Sequence, residues 1–590
     1  MTRHVLVTFQ RAHPDVFAVY NNPAASNTQP RFQKETSVTV NARLSGKRVL
    51  GLITEYIIEC VCPFRTVETA AFSKLVHGLT NTSVQIPSRR TVAREIESLF
   101  EEKVKELQGF LGKADFVATT ADIWTGFKNR RAFMGMTVTY LDEALDRKSF
   151  TLSCRLFEGS HTFDKIGEIL QEEHAKFGLY VPKLVATVTD NASNFKKAFK
   201  EYGIEATDLI KESDESDETD EIDEIDMEDS PSANSAFLET DESNDGVALP
   251  PQLNCAAHTL SLVSVNGLKN AENESASFKK GNRSLMGKVT ALWNKISRSP
   301  AASETARKFL KKCFPTPCAT RWNSLHDALE FIHKQEKVTI DQIFEALDLP
   351  KLTPSDYLFL QEMVATMKPV ATTLDHLQAG KETSALGFLI PRIYELNDRL
   401  ASELQDNHLV YCKPLLECLK KQLQQRYGAL IDVDLSDKKV QECVLATVSH
   451  PKFKLYWCPD SEVEEKVKQL AIAYVEKNQP INPTNVTERE PDSEFQFLTK
   501  RQRPSLPENR GLAQLQLMQY FANNRCDLDS LSSYLVVKKM FQRFNTCQTS
   551  SADVERLFSI AGIIQAGRRA RLSPDHLQNL LFLKSALSKQ

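Results

Sequence analysis

The chain lacks a Cys-x2-Cys pair, although it carries 12 cysteines, at 60, 62, 154, 255, 313, 318, 412, 418, 443, 458, 526 and 547. Without paired thiols, and with a polar start that shows no signal-peptide pattern, a disulfide framework is not expected. Free thiols in a reducing intracellular compartment are. Long apolar runs are also missing. The greasiest early stretch, Val49 to Phe64, is broken by Glu55 and Glu59, so no membrane span is expected. There is no tandem repeat. Basic residues are missing from residues 212–245, which hold 16 acids and no Lys or Arg. Such a block cannot bury a core and reads as a disordered, solvated insertion spanning 201–250.

Removing that block changes the meaning of the net charge of −4. The remainder holds 61 acids against 73 bases, a formal excess of 12 positive charges. A basic body suits a phosphate-rich partner. At 590 residues the chain has room for about two to four domains.

The most informative stretch is Ser550-Ser551-Ala552-Asp553-Val554-Glu555-Arg556-Leu557-Phe558-Ser559. Val554, Leu557, Phe558, Ala561 and Ile564 have the spacing of one helix stripe, with Ser550 or Ser551 as its cap. Glu555 falls on the flank of that stripe, partly desolvated, and needs an arginine or a metal ion; from this helix alone an ion pair closing the edge of a core helix is the plainer reading. Gly567 is a plausible stop. Arg568, Arg569 and Arg571 then form a basic turn, and Ser573-Pro574 restarts a helix. Leu577, Leu580, Leu581 and Leu583 make this last helix apolar enough to dock on its own core or on a second subunit.

Upstream, β-type runs at 116–121, 132–140 and 149–157 precede a helical pattern at 163–177 and a further β run at 183–189. That order suits an antiparallel meander followed by a crossover that adds a parallel strand beside the first. Asp122 and Asp190 would then stand side by side, though Asp122 alone also fits a turn cap and Asp190-Asn191 an ordinary strand-to-helix turn. Ser88 is a candidate cap for a helix over 89–111, and residues 327–533 read as long and helical, with helix spacing at 358–373, 386–404 and 413–423. Residues 478–510 read as a loop.

The Ser-Ser-Ala-x-x-Glu-Arg-Leu-Phe-Ser core and the later Arg-Arg-x-Arg-Leu-Ser resemble the C-terminal dimerisation region of the hAT superfamily of DNA transposases. Cys62-Pro63-Phe64, Ile86-Pro87-Ser88-Arg89, Cys255-Ala256-Ala257-His258 and Thr320-Arg321-Trp322-Asn323-Ser324 are further similar elements. Val448-Ser449-His450-Pro451 is one too, with His450 where the family more often has Asp. The resemblance implies an α/β + α chain: an RNase H-like mixed sheet interrupted by a large all-helical insertion. It divides as 1–45 irregular, 46–111 helical lead-in, 112–200 and 251–335 core, 336–535 helical insertion and 536–590 C-terminal core and dimerisation helices.

It also implies that Asp122, Asp190 and Glu555 are catalytic and hold two Mg²⁺ or Mn²⁺ ions for phosphodiester cleavage and strand transfer, hard oxygen donors being what these cations take. Cys255 and His258 would orient that site; zinc held by them with Cys313 and Cys318 is the weaker reading, and no structural zinc is expected. Trp124 and Trp322 are candidates to stack on DNA bases, and Arg321, Arg568, Arg569 and Arg571 to meet phosphates. Each has a plainer explanation: core burial for the tryptophans, and a favourable helix-end charge for the C-terminal arginines. Residues 1–110 offer only Cys60-Val61-Cys62 and isolated histidines, so the BED zinc finger of many relatives is not expected. The implied partners are DNA and a second copy, with no membrane and no small-molecule substrate. The implied location is the nucleus, with Lys500-Arg501-Gln502-Arg503 a weak basic signal. The alternative is a transposon-derived nuclear protein that keeps the fold and dimerises without cutting DNA.

Overall fold

A computed structural model describes residues 45–80, 85–126, 131–159, 161–181, 183–203, 248–317, 322–380, 382–405, 409–478, 509–565 and 572–587. Residues 1–44, residues 204–247 with the acidic block, Cys318, Arg321, Lys500 to Arg503, Gly567, Arg568, Arg569 and Arg571 lie outside them.

Three helices lead in: α1 (Gly46–Glu59), α2 (Ala70–Thr80) and α3 (Arg89–Lys113). Ser88 caps α3 as its sequence predicts, its hydroxyl accepting the Thr91 N–H at 3.2 Å. Next come β1 (Val117–Thr125), β2 (Ala132–Leu141), β3 (Arg147–Phe157), α4 (Phe163–Lys176), β4 (Leu184–Thr189), α5 (Ser193–Tyr202) and β5 (Gln252–Asn254). They form one five-stranded sheet in the order β3-β2-β1-β4-β5. β1, β2 and β3 pair antiparallel, whereas β4 joins β1 in parallel and β5 joins β4 in parallel. The meander and crossover expected from the β runs are therefore present, and β1 and β4 are neighbours. One boundary differs. β1 does not stop before Asp122 but continues to Thr125, because β2 is long enough to pair with it through Thr125↔Ala132.

The rest is helical: α6 (Ala256–Glu274), α7 (Ala276–Arg298), α8 (Pro300–Leu310), α9 (Trp322–His333), α10 (Lys337–Ala346), α11 (Pro354–Leu377), α12 (Leu389–Gln405), α13 (Lys413–Ile431), α14 (Lys438–Ser449), α15 (Ser461–Lys477), α16 (Asn509–Ala522), α17 (Leu535–Asn545), α18 (Ala552–Gln565) and α19 (Pro574–Leu587). The chain is thus mostly helical around a small mixed sheet. Two hydrophobic clusters hold it together. One joins the lead-in helices, much of the sheet, α18 and α19; the other fills α6 to α17 and reaches the sheet through Ala118, Val188 and Leu253.

The two sheet faces are filled differently. On one, buried His174 of α4 meets the Thr119 hydroxyl at 3.1 Å. The other carries α18. The outer edge of β3 is covered by α19, whose Ser585 hydroxyl accepts the Thr151 N–H at 3.1 Å, so the edge has no free ladder there. Leu577, Leu580, Leu581 and Leu583 are all buried, which assigns the apolar stripe of α19 to the chain's own core. His450 caps α14 and is buried among the rings of Phe388, Phe453 and Phe541. Among the described residues no helix is long and apolar enough to cross a membrane.

A carboxylate-lined candidate site at the sheet end

Because β1 and β4 run parallel with Ala121 beside Thr189, the next residue of each strand, Asp122 and Asp190, stands at the same end of the sheet. Asp122 is still within β1, opposite Gly135 of β2. Asp190 follows the last residue of β4, and its Oδ1 accepts the Ala192 N–H at 3.1 Å. The ordinary turn into α5 and the placement of a carboxylate at the sheet end are thus the same feature. Asn191 ties that turn to α6 through the Thr259 hydroxyl at 3.0 Å.

α18 brings the third carboxylate. Its stripe Val554, Leu557, Phe558, Ala561 and Ile564 is buried, as its spacing predicts. Gly135 makes this approach feasible: a Cβ there would lie 2.6 Å from Cε1 of Phe558 and 3.3 Å from Cδ2 of Leu557. The helix can therefore lie directly on β2, with Glu555, one turn before Phe558, near enough for its charge to act on Asp122. The electrostatics agree. Burial, with the negative charges of Asp190 and Glu555, pushes the Asp122 carboxyl up to about 8, against one lowering contact from the Ile123 N–H.

Two devices fix the start of α18. Cys255, the residue before α6, is buried; its N–H donates to the Thr189 carbonyl at 2.7 Å and its Sγ accepts N–H bonds from His258 and Ser551, each at 3.4 Å. Burial pushes the thiol up, so Cys255 remains a neutral acceptor. It therefore connects the end of β4 to the start of the Glu555 helix. The ring of His258 is half-buried one turn into α6. Arg556 supplies the second device, binding Asp553 at 2.5 Å and the Gln378 carbonyl at the end of α11. Its guanidinium occupies space left by Gly380, whose φ of +68° and absent Cβ suit the close approach. Ser550 does not cap α18: its hydroxyl donates to the Leu377 carbonyl at 2.8 Å.

Trp124 stacks on Phe558 with centroids 5.8 Å apart and tilts against Phe133, half-buried over the same helix. Trp322 opens α9 far along the chain, where neighbouring Asn323 holds the Asp375 carboxylate at 2.9 Å. Gly135, Arg556 and Gly380 were missed from the sequence. Arg556 stands within the resembling motif, and Gly135 left a signal as a lone glycine inside a β run, which marks close approach by another element.

The donors are all carboxylate oxygens, the kind that Mg²⁺ or Mn²⁺ takes, and a divalent cation would relieve the like charges acting on Asp122. As they stand, no three His, Cys, Asp or Glu among the described residues are close enough to grip a metal ion. The arrangement is a gathering of acids at one end of the sheet, open rather than closed into a cage.

Residues 501–587, which include α18 and α19, match the family model of the hAT family C-terminal dimerisation region. The chain carries a hAT dimerisation region. A relative described as "Putative transcriptional regulator tpeD", from Talaromyces stipitatus, is 21% identical over 586 residues, covering 91% of this chain. The chain spans 62% of that relative's length. Both matches accord with a hAT-derived protein. They add that the segment carrying Glu555 and Arg556 is the segment the hAT model describes.

Proposed function

We propose that the chain is a hAT transposase-like, dimeric DNA-binding protein of the nucleus, whose RNase H-like sheet presents Asp122, Asp190 and Glu555 to divalent cations for phosphodiester chemistry. What supports this reading is that Asp122 and Asp190 stand at the same sheet end and that the negative charges of Asp190 and Glu555 both act on the Asp122 carboxyl. Like charges beside a buried carboxylate disfavour its ionised form, and a bound cation would offset them.

In this reading Asp122 and Asp190 hold the cations from the sheet and Glu555 from α18. Divalent ions bound there supply activation of a water or 3′-hydroxyl and stabilisation of the leaving oxygen. The chain's own work is positional. Gly135 lets α18 lie on the sheet, Cys255 and Arg556 fix where it begins, and Trp124 packs over Phe558 at the flank of the same helix.

The second reading is a domesticated, non-cutting regulator that keeps the fold, binds DNA and pairs. It is favoured by the open arrangement of the acids and by the description of the Talaromyces stipitatus relative. Nicking of DNA by the purified chain in Mg²⁺ or Mn²⁺, beside an Asp190→Ala control, separates the two. Cation-dependent nicking lost in the control supports cleavage. Its absence in the intact chain, with DNA binding preserved, leaves the regulator.

A further inference from the structure

Most of the surplus positive charge of the body sits on two consecutive helices. Residues 276–312, comprising α7, α8 and the two lysines after them, hold 10 Lys or Arg and a single acid, Glu304, a net of +9. Outside the acidic block the whole chain has a net of only +12. This short stretch therefore accounts for most of the excess.

The helix geometry decides which cations face outward. On α7 the residues Phe278, Leu285, Val289, Leu292, Trp293 and Ile296 are buried. At 100° per residue Lys280, Arg283 and Arg298 fall on the opposite side, and all three are exposed. Two other cations of α7 are spent inward, Lys288 on Asp356 at 2.5 Å and Lys295 on the Leu347 carbonyl. Lys280, Arg283, Arg298, Arg307, Lys311 and Lys312 are exposed and take part in no ion pair among the described residues.

The residues between those cations identify the partner. Gly287, Thr290, Asn294 and Ser297 are exposed on the same side of α7, and none of the exposed large apolar side chains lies on this helix. A protein partner is held by a cluster of apolar and aromatic anchors, whereas Phe309 of α8 is the single exposed large apolar side chain on these two helices. Phosphates need only cations and small hydrogen-bonding neighbours, which this face has. With 23 residues α7 is about 34 Å long, close to one turn of duplex.

We propose that the outer face of α7, extended by the basic end of α8, binds the sugar–phosphate backbone of duplex DNA independently of base sequence. This rests on the DNA-binding reading above and adds its location. α6 runs about 28 Å from Cys255, beside the end of β4, to Ser275, where α7 begins.

The test is titration of the full chain with a fluorescent 30-base-pair duplex of arbitrary sequence over a range of salt. The stripe variant is Lys280→Ala/Arg283→Ala/Arg298→Ala. A control, Lys334→Ala/Lys351→Ala/Lys466→Ala, removes equal charge from exposed residues already paired with glutamates. The stripe variant is expected to bind more weakly on every sequence, and the slope of log K against log salt to flatten by about 1 per cation removed. The control is expected to match the wild type. Equal affinity and slope in stripe variant and wild type, or equal losses in both variants, would overturn the assignment of this face while leaving DNA binding intact. Failure of the wild type to bind any duplex would overturn the DNA reading itself.

Discussion

The Sγ of Cys255 accepts the backbone N–H of Ser551 at 3.4 Å, across 296 positions of sequence, and so ties the end of β4 to the start of the Glu555 helix. Removing the thiol leaves the buried Ser551 N–H without its acceptor. Cys255→Ala is expected to cost about 1–3 kcal/mol in thermal or denaturant unfolding, and Cys255→Ser less, because a hydroxyl can still accept. An alanine variant as stable as wild type would remove Cys255 from this role.

Gly135 is the second test of how α18 is seated. A methyl there would fall 2.6 Å from the Phe558 ring, which is itself stacked on Trp124. Gly135→Ala is expected to destabilise the chain by about 1–3 kcal/mol and to weaken cation binding at the acids more than a surface substitution does. An unchanged melting temperature would mean that α18 does not lie on β2 as described.

Asp122 gives the pH dependence. Its folded carboxyl holds a proton up to about 8, whereas in the unfolded chain it ionises near the ordinary value of 3.8. The folded state therefore binds the extra proton between those values. The associated stability is full below about 4, declines as pH rises, and is lost once pH passes about 8. In chelator at pH 8, Asp122→Asn is expected to be the more stable protein by on the order of 1–3 kcal/mol, and the gap to close toward pH 4. Saturating Mn²⁺ is expected to reverse the order. A gap independent of pH would show that the carboxyl is not held protonated.

Much of this was legible in the sequence, for physical reasons. β1 to β4 announce themselves through β-rich runs, and the stripe of α18 through its period. Ser88 and Ser573-Pro574 mark helix starts by their chemistry; Ser573 accepts the His576 N–H at 3.3 Å. β5 was not seen because three residues carry no period. The end of β1 was placed too early because strand length is set by the partner, not by the run itself. The role of Cys255 as an acceptor between two elements depends on residues meeting in space, which no spacing encodes.

The last helix illustrates the same limit. Its apolar stripe fits equally a core or a partner, and the structure buries it on β3 and α3. Leu581→Ala is therefore expected to cost about 2–5 kcal/mol of folding stability rather than to dissociate a dimer. Within the matched segment, Leu515, Leu535 and Ile563 stay exposed. Leu535→Asp/Ile563→Asp is expected to shift light scattering toward monomer with the melting temperature unchanged. Dissociation by the first variant, with the fold intact, would reverse the assignment.

The central claim is that Asp122, Asp190 and Glu555 share a cation, and calorimetric titration of the full chain with Mn²⁺ tests it most directly, without relying on cleavage. Saturable binding that is abolished in Asp190→Asn and in Glu555→Gln, with melting temperatures at or above wild type in chelator, is the predicted result. Binding undiminished in both variants, or no binding by the wild type, would contradict it.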